Sequence, residues 1–378
     1  MTKRFLAVVT GAMLVLTASE GAAQAGIGTP LVQSPTRGAS RVGTRGANFL
    51  EIGLGARALG MAGAYSAIAE GLSGLYWNLA GTAEVQNVAG GVNYSKLYGS
   101  DGLSFIWGGA LMPIGGGVLG IQVGQMSSGK IPRTSYDFPD GGDPTVGPTF
   151  EFTGTTAALS YARRLTDRLN VGAGFKYASE GITNASISYF GADVGIKFRT
   201  GLYGTTLGAS LANLGSSGKY SGNLVEANTF NTFVPGLVRV QYDMKEYEMP
   251  TIFRFSVLAD LIGGPEALLS NRTGLGSLRL VGEMENAIDT DLQPAIGAEY
   301  GWRNMLFLRA GRRWYNEAWE RGKSSAPFIQ RSDYWNRGLA FGGGLRLPLA
   351  GRHIAFDYAW QGSGELPANN HFSFEFGF

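Results

Sequence analysis

The feature that most constrains this chain is a period of two in its apolar residues, clearest at the C-terminus. In HFSFEFGF, residues 371 to 378, Phe372, Phe374, Phe376 and Phe378 fall on one face of an extended strand, and His371, Ser373, Glu375 and Gly377 fall on the other. Ile354, Phe356, Tyr358 and Trp360 likewise oppose His353, Asp357 and two alanines. Leu169, Val171, Ala173, Phe175 and Tyr177 oppose Asn170, Lys176 and two glycines, and Phe253, Phe255, Val257 and Leu261 oppose Arg254, Ser256 and Asp260. Two architectures satisfy such strands. In a soluble sandwich the aromatic faces of two sheets pack on each other. In a transmembrane barrel the apolar face meets hydrocarbon, and small or polar side chains line the lumen. Bulky residues against small or charged ones fit the barrel.

Composition removes the other classes. With 59 glycines, 12% aromatic and 16% charged residues, the chain is too apolar and too sparsely charged to stay unfolded. Beyond residue 25, Gly, Asn, Asp or Arg interrupts every apolar run well before the roughly 20 residues a membrane helix needs. The net charge is +2 and the cations are scattered, so no stripe suits nucleic acid. The absence of cysteine excludes a lipid-modified N-terminal Cys, disulfides and thiolate metal sites.

At the N-terminus, Lys3 and Arg4 precede an apolar run from Phe5 to Leu16, and Ala23-Gln24-Ala25 offers small residues for cleavage. Residues 1–25 thus read as a signal peptide, since a run of about a dozen residues is short for an anchor helix. Residues 26–47, rich in Gly, Arg and Ser, read as a periplasmic tail. No boundary is visible in the remainder, which divides into a segment 48–85 and a single barrel, 86–378.

Besides the four strands above, candidates lie near 88–97, 102–112, 117–126, 150–164, 184–199, 203–213, 235–243, 276–286, 293–301, 304–313 and 336–347, making fifteen. A bacterial single-chain barrel needs an even number, so one must go. Short turns near 113–116, 165–167, 302–303 and 347–351 and long loops near 127–149, 214–234 and 314–335 alternate until the register fails between about residues 213 and 303. The expectation is a closed antiparallel barrel of about 14 strands, with its short turns periplasmic and its long loops extracellular.

The segment before the strands, GLGARALGMAGAYSAIAEGLSGLYWNLAG at 53 to 81, is the most distinctive. Its Ala-rich middle, Ala56 to Glu70, predicts about four helical turns ending near Gly71. Placed in a polar lumen as a partly helical plug, Arg57 and Glu70 would bring opposite charges together; an ordinary packed helix with a solvated charge at each end also fits these residues.

The run Gly-Leu-Gly-Ala-Arg-Ala-Leu-Gly-Met-Ala-Gly-Ala, followed by Leu75-Tyr76-Trp77-Asn78 and Ala80-Gly81, resembles the N-terminal hallmark of the PorV/PorQ family, which is related to FadL-type outer-membrane transporters. Leu211 to Gly215, Gly297 to Tyr300 with Leu308 to Gly311, and Phe356 to Ala359 are similar to later parts of its pattern, so the resemblance runs from about Asn48 to the end. It implies a FadL-like fourteen-stranded barrel whose N-terminal segment, with Arg57, Glu70, Trp77 and Asn78, forms an internal hatch. One departure stands out: the family has Pro after Trp-Asn, and this chain has Leu79, which frees φ at that turn. The terminal Phe374, Phe376 and Phe378 resemble the signal read by the outer-membrane barrel assembly machinery.

Candidate chemistry is thin. Gly53-Leu54-Gly55-Ala56-Arg57-Ala58 imitates a dinucleotide fingerprint without the βαβ unit it needs. Glu283 and Glu285 share one strand face, as an acid and base would, but lumen-facing carboxylates account for them more simply. His353 and His371 are both expected inward, at heights about 20 Å apart, too far to share a metal. No Ser-His-acid pattern marks a hydrolase, and the sequons Asn184-Ala185-Ser186 and Asn271-Arg272-Thr273 read as chance. No catalytic, metal or cofactor site is therefore expected. Two functions follow from the resemblance: handling or attachment of secreted cargo proteins in a type IX manner, or, as the alternative, passive transport of small hydrophobic molecules such as fatty acids across the outer membrane. Trp314, Tyr315, Trp319, Phe328, Tyr334 and Trp335, in or beside one long loop, suit a partner, a ligand or an interfacial girdle equally.

Overall fold

The computed structural model describes residues 42–99, 102–142, 147–230, 237–263, 266–269, 276–315, 335–349 and 352–377. Ala23, Ala25, Trp319, Phe328, Tyr334, Phe378 and the sequon at 271–273 lie outside them.

Fourteen antiparallel strands follow one another around a closed sheet: β1 (Ala89–Lys96), β2 (Ser104–Ile114), β3 (Gly117–Ser127), β4 (Phe152–Arg164), β5 (Leu169–Ile182), β6 (Ala185–Arg199), β7 (Thr205–Gly215), β8 (Ile252–Ile262), β9 (Gly276–Ala287), β10 (Gln293–Trp302), β11 (Leu306–Arg313), β12 (Leu339–Leu349), β13 (Arg352–Ser363) and β14 (Leu366–Phe376). The seam closes where β1 pairs with β14, from Gly90 opposite Phe376 to Lys96 opposite Asn370. Closure leaves no edge strand in the wall, which is what allows a sheet to sit in hydrocarbon.

Alternation holds in every region. Ile106, Val123, Phe175, Phe190, Leu308 and Phe372 project outward with large exposed surfaces, while Asn93, Lys176, Arg254, Glu299 and Ser373 are buried on the inner face. A surface so uniformly apolar has no place in water and suits lipid.

The surplus candidate is 235–243. Among the described residues, Leu237–Gln241 pairs only with Glu226–Phe230, as a two-stranded sheet outside the barrel. Its alternation is that of a strand, but alternation says nothing about which strand it joins. Connection lengths mislead in the same stretch for a related reason. The long connections 128–151, 216–251 and 314–338 gather at one rim and the short turns 115–116, 165–168, 303–305 and 350–351 at the other, yet the short-turn rim also carries 263–275 and the long-loop rim carries 288–292.

Residues 47–85 cross the lumen as a plug, not as a four-turn helix. The α-helix α1 (Ala56–Leu59) stops after one turn, and Ala62 (φ 56°) and Gly63 (φ 76°) turn the chain left-handed. A second short helix, α2 (Gly74–Trp77), follows the 3-10 turn Gly71–Ser73 and precedes the 3-10 turn Leu79–Glu84. Alanine favours helix by only tenths of a kcal/mol per residue. Contact with a curved wall overrides that preference: Met61 lies against Gly297 and Gly311, and Ala67 against Gly208, so closely that a side chain on any of the three glycines would strike plug backbone. The core is therefore plug against wall, with Phe49, Leu72, Leu75 and Leu79 packed on Phe105, Trp107 and Leu111, and Met61, Ala64, Ala67 and Ile68 packed on Val281, Ala295 and Ala359.

Candidate functional site

Charge ties the plug to the wall at two levels. In the first, Glu299 of β10 accepts a two-pronged pair from Arg57, Nε to Oε2 at 2.8 Å and Nη2 to Oε1 at 2.8 Å. Arg309 of β11 donates Nε to the same Oε2 at 2.7 Å and reaches Asp357 of β13 at 2.5 Å. Arg57 also donates to Glu70 at 2.5 Å, so the expected plug charges do meet. Burial alone would raise the Glu70 carboxyl, but Arg57, with Arg279 and Lys197 behind it, outweighs that and holds it at about 2.

The second level lies nearer the long-loop rim. Glu285 pairs with Arg254 at 2.6 Å and with Arg313. Arg254 lies near the rings of both Tyr76, at 5.2 Å, and Trp77, at 5.0 Å, which meet edge-to-face beside it. Glu283, on the same face, accepts the backbone N–H groups of Tyr65 and Ser66, each at 2.7 Å, and the Ser66 hydroxyl at 3.0 Å. These are the donors freed where the Ala-rich run fails to stay helical. Glu283 and Glu285 thus share a face as expected, but one receives the plug's backbone and the other joins two arginines.

Trp77 donates Nε1 to the Leu54 carbonyl at 2.7 Å. Asn78 bridges plug and wall, donating Nδ2 to the carbonyls of Ser66 at 3.0 Å and Ile196 at 2.9 Å. Its Oδ1 accepts Ala80 N–H at 3.1 Å and so caps the turn that begins at Leu79. That side-chain cap shapes the turn where proline is missing. At the short-turn rim Glu84 takes Asn170 at 2.7 Å and Arg199 at 2.5 Å.

The remaining expected residues disperse. His371 is buried with Nδ1 2.7 Å from Ser95 Oγ, and His353 is near the opposite end of the adjacent strand, with Ala359 and not His353 across from His371. Phe374 is on the outer face, its ring 4.9 Å from Phe356. Sequence reasoning missed Glu299, Arg309, Arg313 and Asp357 as the plug's anchors. The available signal was a single charge at an inward-parity position of a strand, the type of residue that needs a partner in a lumen.

Between the plug and the long-loop rim lies a cavity of about 560 Å³, with Ile52, Leu59, Trp77 and Leu97 among its apolar walls and Glu51 and Arg313 among its polar ones. Burial and the neighbouring Asp289 and Glu285 carboxylates push Glu51 up to about 9, and Arg254 offsets this only in part. On the outer face, a shallow apolar groove of about 500 Å³ lies over Gly343 between Tyr94, Phe356, Tyr358 and Phe372. The ladders beside it are continuous, from Leu306 opposite Leu345 to Arg312 opposite Leu339 and on into β13, so the wall has no lateral port at this groove.

No family model matches the chain, and no curated protein matches it. Among solved structures, a deltaS2 mutant of the monoaromatic hydrocarbon channel TodX is 12% identical with a TM-score of 0.50, covering 86% of this chain and 97% of that one. The toluene transporter TbuX of Ralstonia pickettii is 10% identical with a TM-score of 0.49, covering 86% and 97%. A FadL homologue of Pseudomonas aeruginosa is 11% identical with a TM-score of 0.47, covering 86% and 98%. At such identities the likeness is one of fold: a closed, FadL-like barrel of the outer-membrane type. None of these findings supports the PorV/PorQ family.

Proposed function

We propose that this protein is a non-enzymatic passive transporter of the outer membrane that admits small hydrophobic molecules, such as fatty acids, past a hatch formed by residues 48–85. The observation that carries this reading is the cavity of about 560 Å³, walled in part by Ile52, Leu59, Trp77 and Leu97 and in part by polar side chains, seated on a plug that is pinned to the barrel by charge pairs. Its size falls within the range of roughly 300–1,000 Å³ common to small-molecule sites. Hydrocarbon and toluene carriers among the structures of like fold agree with it. In this orientation the long loops face outward and the short turns face the periplasm. Arg57, Glu70, Trp77 and Asn78 are then hatch residues: an ionic and hydrogen-bonded clasp that closes the lumen yet can re-pair as the segment shifts. Residues 1–25 act as the export signal, and Phe374, Phe376 and Phe378 address the chain to the barrel assembly machinery.

Uptake of a labelled long-chain fatty acid or alkane is the test, compared in cells with and without the protein. Slower uptake without it is expected. Equal uptake, together with loss of secreted proteins from the cell surface, would reject the channel in favour of the type IX role, which rests on motif resemblance alone.

A further inference from the structure

The plug runs through the lumen in one direction, and its starting point is unexpected. Gly43 N–H donates to Asp289 Oδ2 at 3.2 Å, in the connection between β9 and β10 at the long-loop rim. Gly46 N–H donates to the Glu248 carbonyl at 3.0 Å, and Arg45 forms an ion pair with the Glu248 carboxylate, both within the long connection 216–251. Gly46 is pressed against Tyr189, near the long-loop end of β6; a Cβ at Gly46 would come within 1.8 Å of the Tyr189 hydroxyl oxygen. Phe49 then enters the barrel against Gly154 and Phe105, near the same ends of β4 and β2. From there the chain descends past Gly342 at Gly60, past Gly208 at Ala67, and reaches Asn170 and Arg199 at the short-turn rim through Glu84. Only then does β1 begin, at that same rim.

The segment therefore crosses the barrel once, from the long-loop mouth to the short-turn mouth. On the outer-membrane reading above, we infer that the polypeptide is threaded through the barrel from outside: Val42 to Gly46 stand on the cell exterior, and the chain enters the lumen from that face and not from the periplasm. Two consequences follow for the hatch. Withdrawing it into the periplasm would pull Val42 to Gly46 off Asp289 and Glu248 and through the lumen, so opening is a rearrangement within the lumen. The arm's fastenings at Asp289 and Glu248 also make the outer loops part of the gate.

The chain has no cysteine, so single cysteines report position cleanly. Val42→Cys is placed at an exposed position, 51% accessible. Thr44→Cys, also exposed, repeats the reading in case the first variant perturbs the rim. Tyr136→Cys marks a long loop and Asp167→Cys marks a short turn. Intact cells are treated with a maleimide on a polyethylene glycol too large for porins, and the gel shift is read before and after the outer membrane is permeabilised. The inference expects Val42→Cys and Thr44→Cys to shift in intact cells to the same fraction as Tyr136→Cys, and Asp167→Cys to shift only after permeabilisation. Labelling of Tyr136→Cys in intact cells, with both N-terminal cysteines protected until permeabilisation, overturns the threading and leaves the transporter reading standing. Labelling of Asp167→Cys but not Tyr136→Cys in intact cells overturns the orientation on which both rest.

Discussion

Glu299 is the residue on which the plug's closure turns, because one buried carboxylate holds Arg57 of the plug and Arg309 of the wall together. Removing one partner of a buried ionic group leaves the others uncompensated, at a cost of about 3–5 kcal/mol. Glu299→Gln is expected to lower the denaturant midpoint of the folded barrel in detergent and to expose the plug to protease, read by the shift between folded and heat-denatured bands. A midpoint equal to wild type would mean the cluster does not secure the plug. Glu51 gives a pH signature of the opposite kind to an ordinary carboxylate. Its folded pKa, pushed up to about 9, lies above its unfolded value of 4.5, so the folded state binds the extra proton between the two. Stability is then full below about 4.5 and is lost as pH rises toward 9. Thermal melts in detergent at intervals across this range are expected to show a falling midpoint in the wild type and a flatter profile in Glu51→Gln. At this scale Arg57 and Glu70 were legible as a charged pair within one segment. Glu299 and Arg309 were not, because sequence alone does not say which inward charge faces which.

Among the elements, the plug and the strands it touches are matched by close backbone approach. Gly311 on β11 is the clearest case: a Cβ there would sit 2.3 Å from the Met61 carbonyl carbon and 2.5 Å from its oxygen. Forcing a methyl group into such a contact typically costs about 1–3 kcal/mol. Gly311→Ala is expected to leave a heat-modifiable barrel but to loosen the plug, seen as faster proteolysis within residues 48–85. Gly343→Ala is the matched control, since its nearest neighbour there is 3.9 Å away and it faces outward. Equal protease resistance in the two variants would remove the wall glycines from the account. The last strand makes a separate prediction: deleting Phe378, or replacing it with a charged residue, should reduce folded protein in the outer membrane, and unchanged heat-modifiable barrel would count against its assembly role. Most strands were readable because bulky side chains recur at every second residue. The helix expected over Ala56 to Glu70 was misread for a physical reason: local propensity is weak beside the demand that small residues lie flat against the wall.

For the whole molecule, closure and insertion in lipid are one property. The outward face of Ile106, Phe175, Leu308 and Phe372 requires hydrocarbon, so mature protein refolded without detergent or lipid is expected to aggregate, with heat-modifiable monomer appearing only when micelles are supplied. A soluble folded monomer without detergent would contradict the membrane reading. Alternation was determined by the sequence alone, because it depends on side-chain chemistry at short, regular spacing; the count of fourteen needed the further rule that such a barrel has an even number of strands, and the plug rested on a resemblance. The surplus strand at 235–243, the anchors Glu299, Arg309 and Arg313, and the entry of the chain at the long-loop rim were decided only by tertiary structure. Each of these depends on which distant residues meet across the lumen, and contacts between residues hundreds of positions apart leave no periodic trace in the chain that makes them.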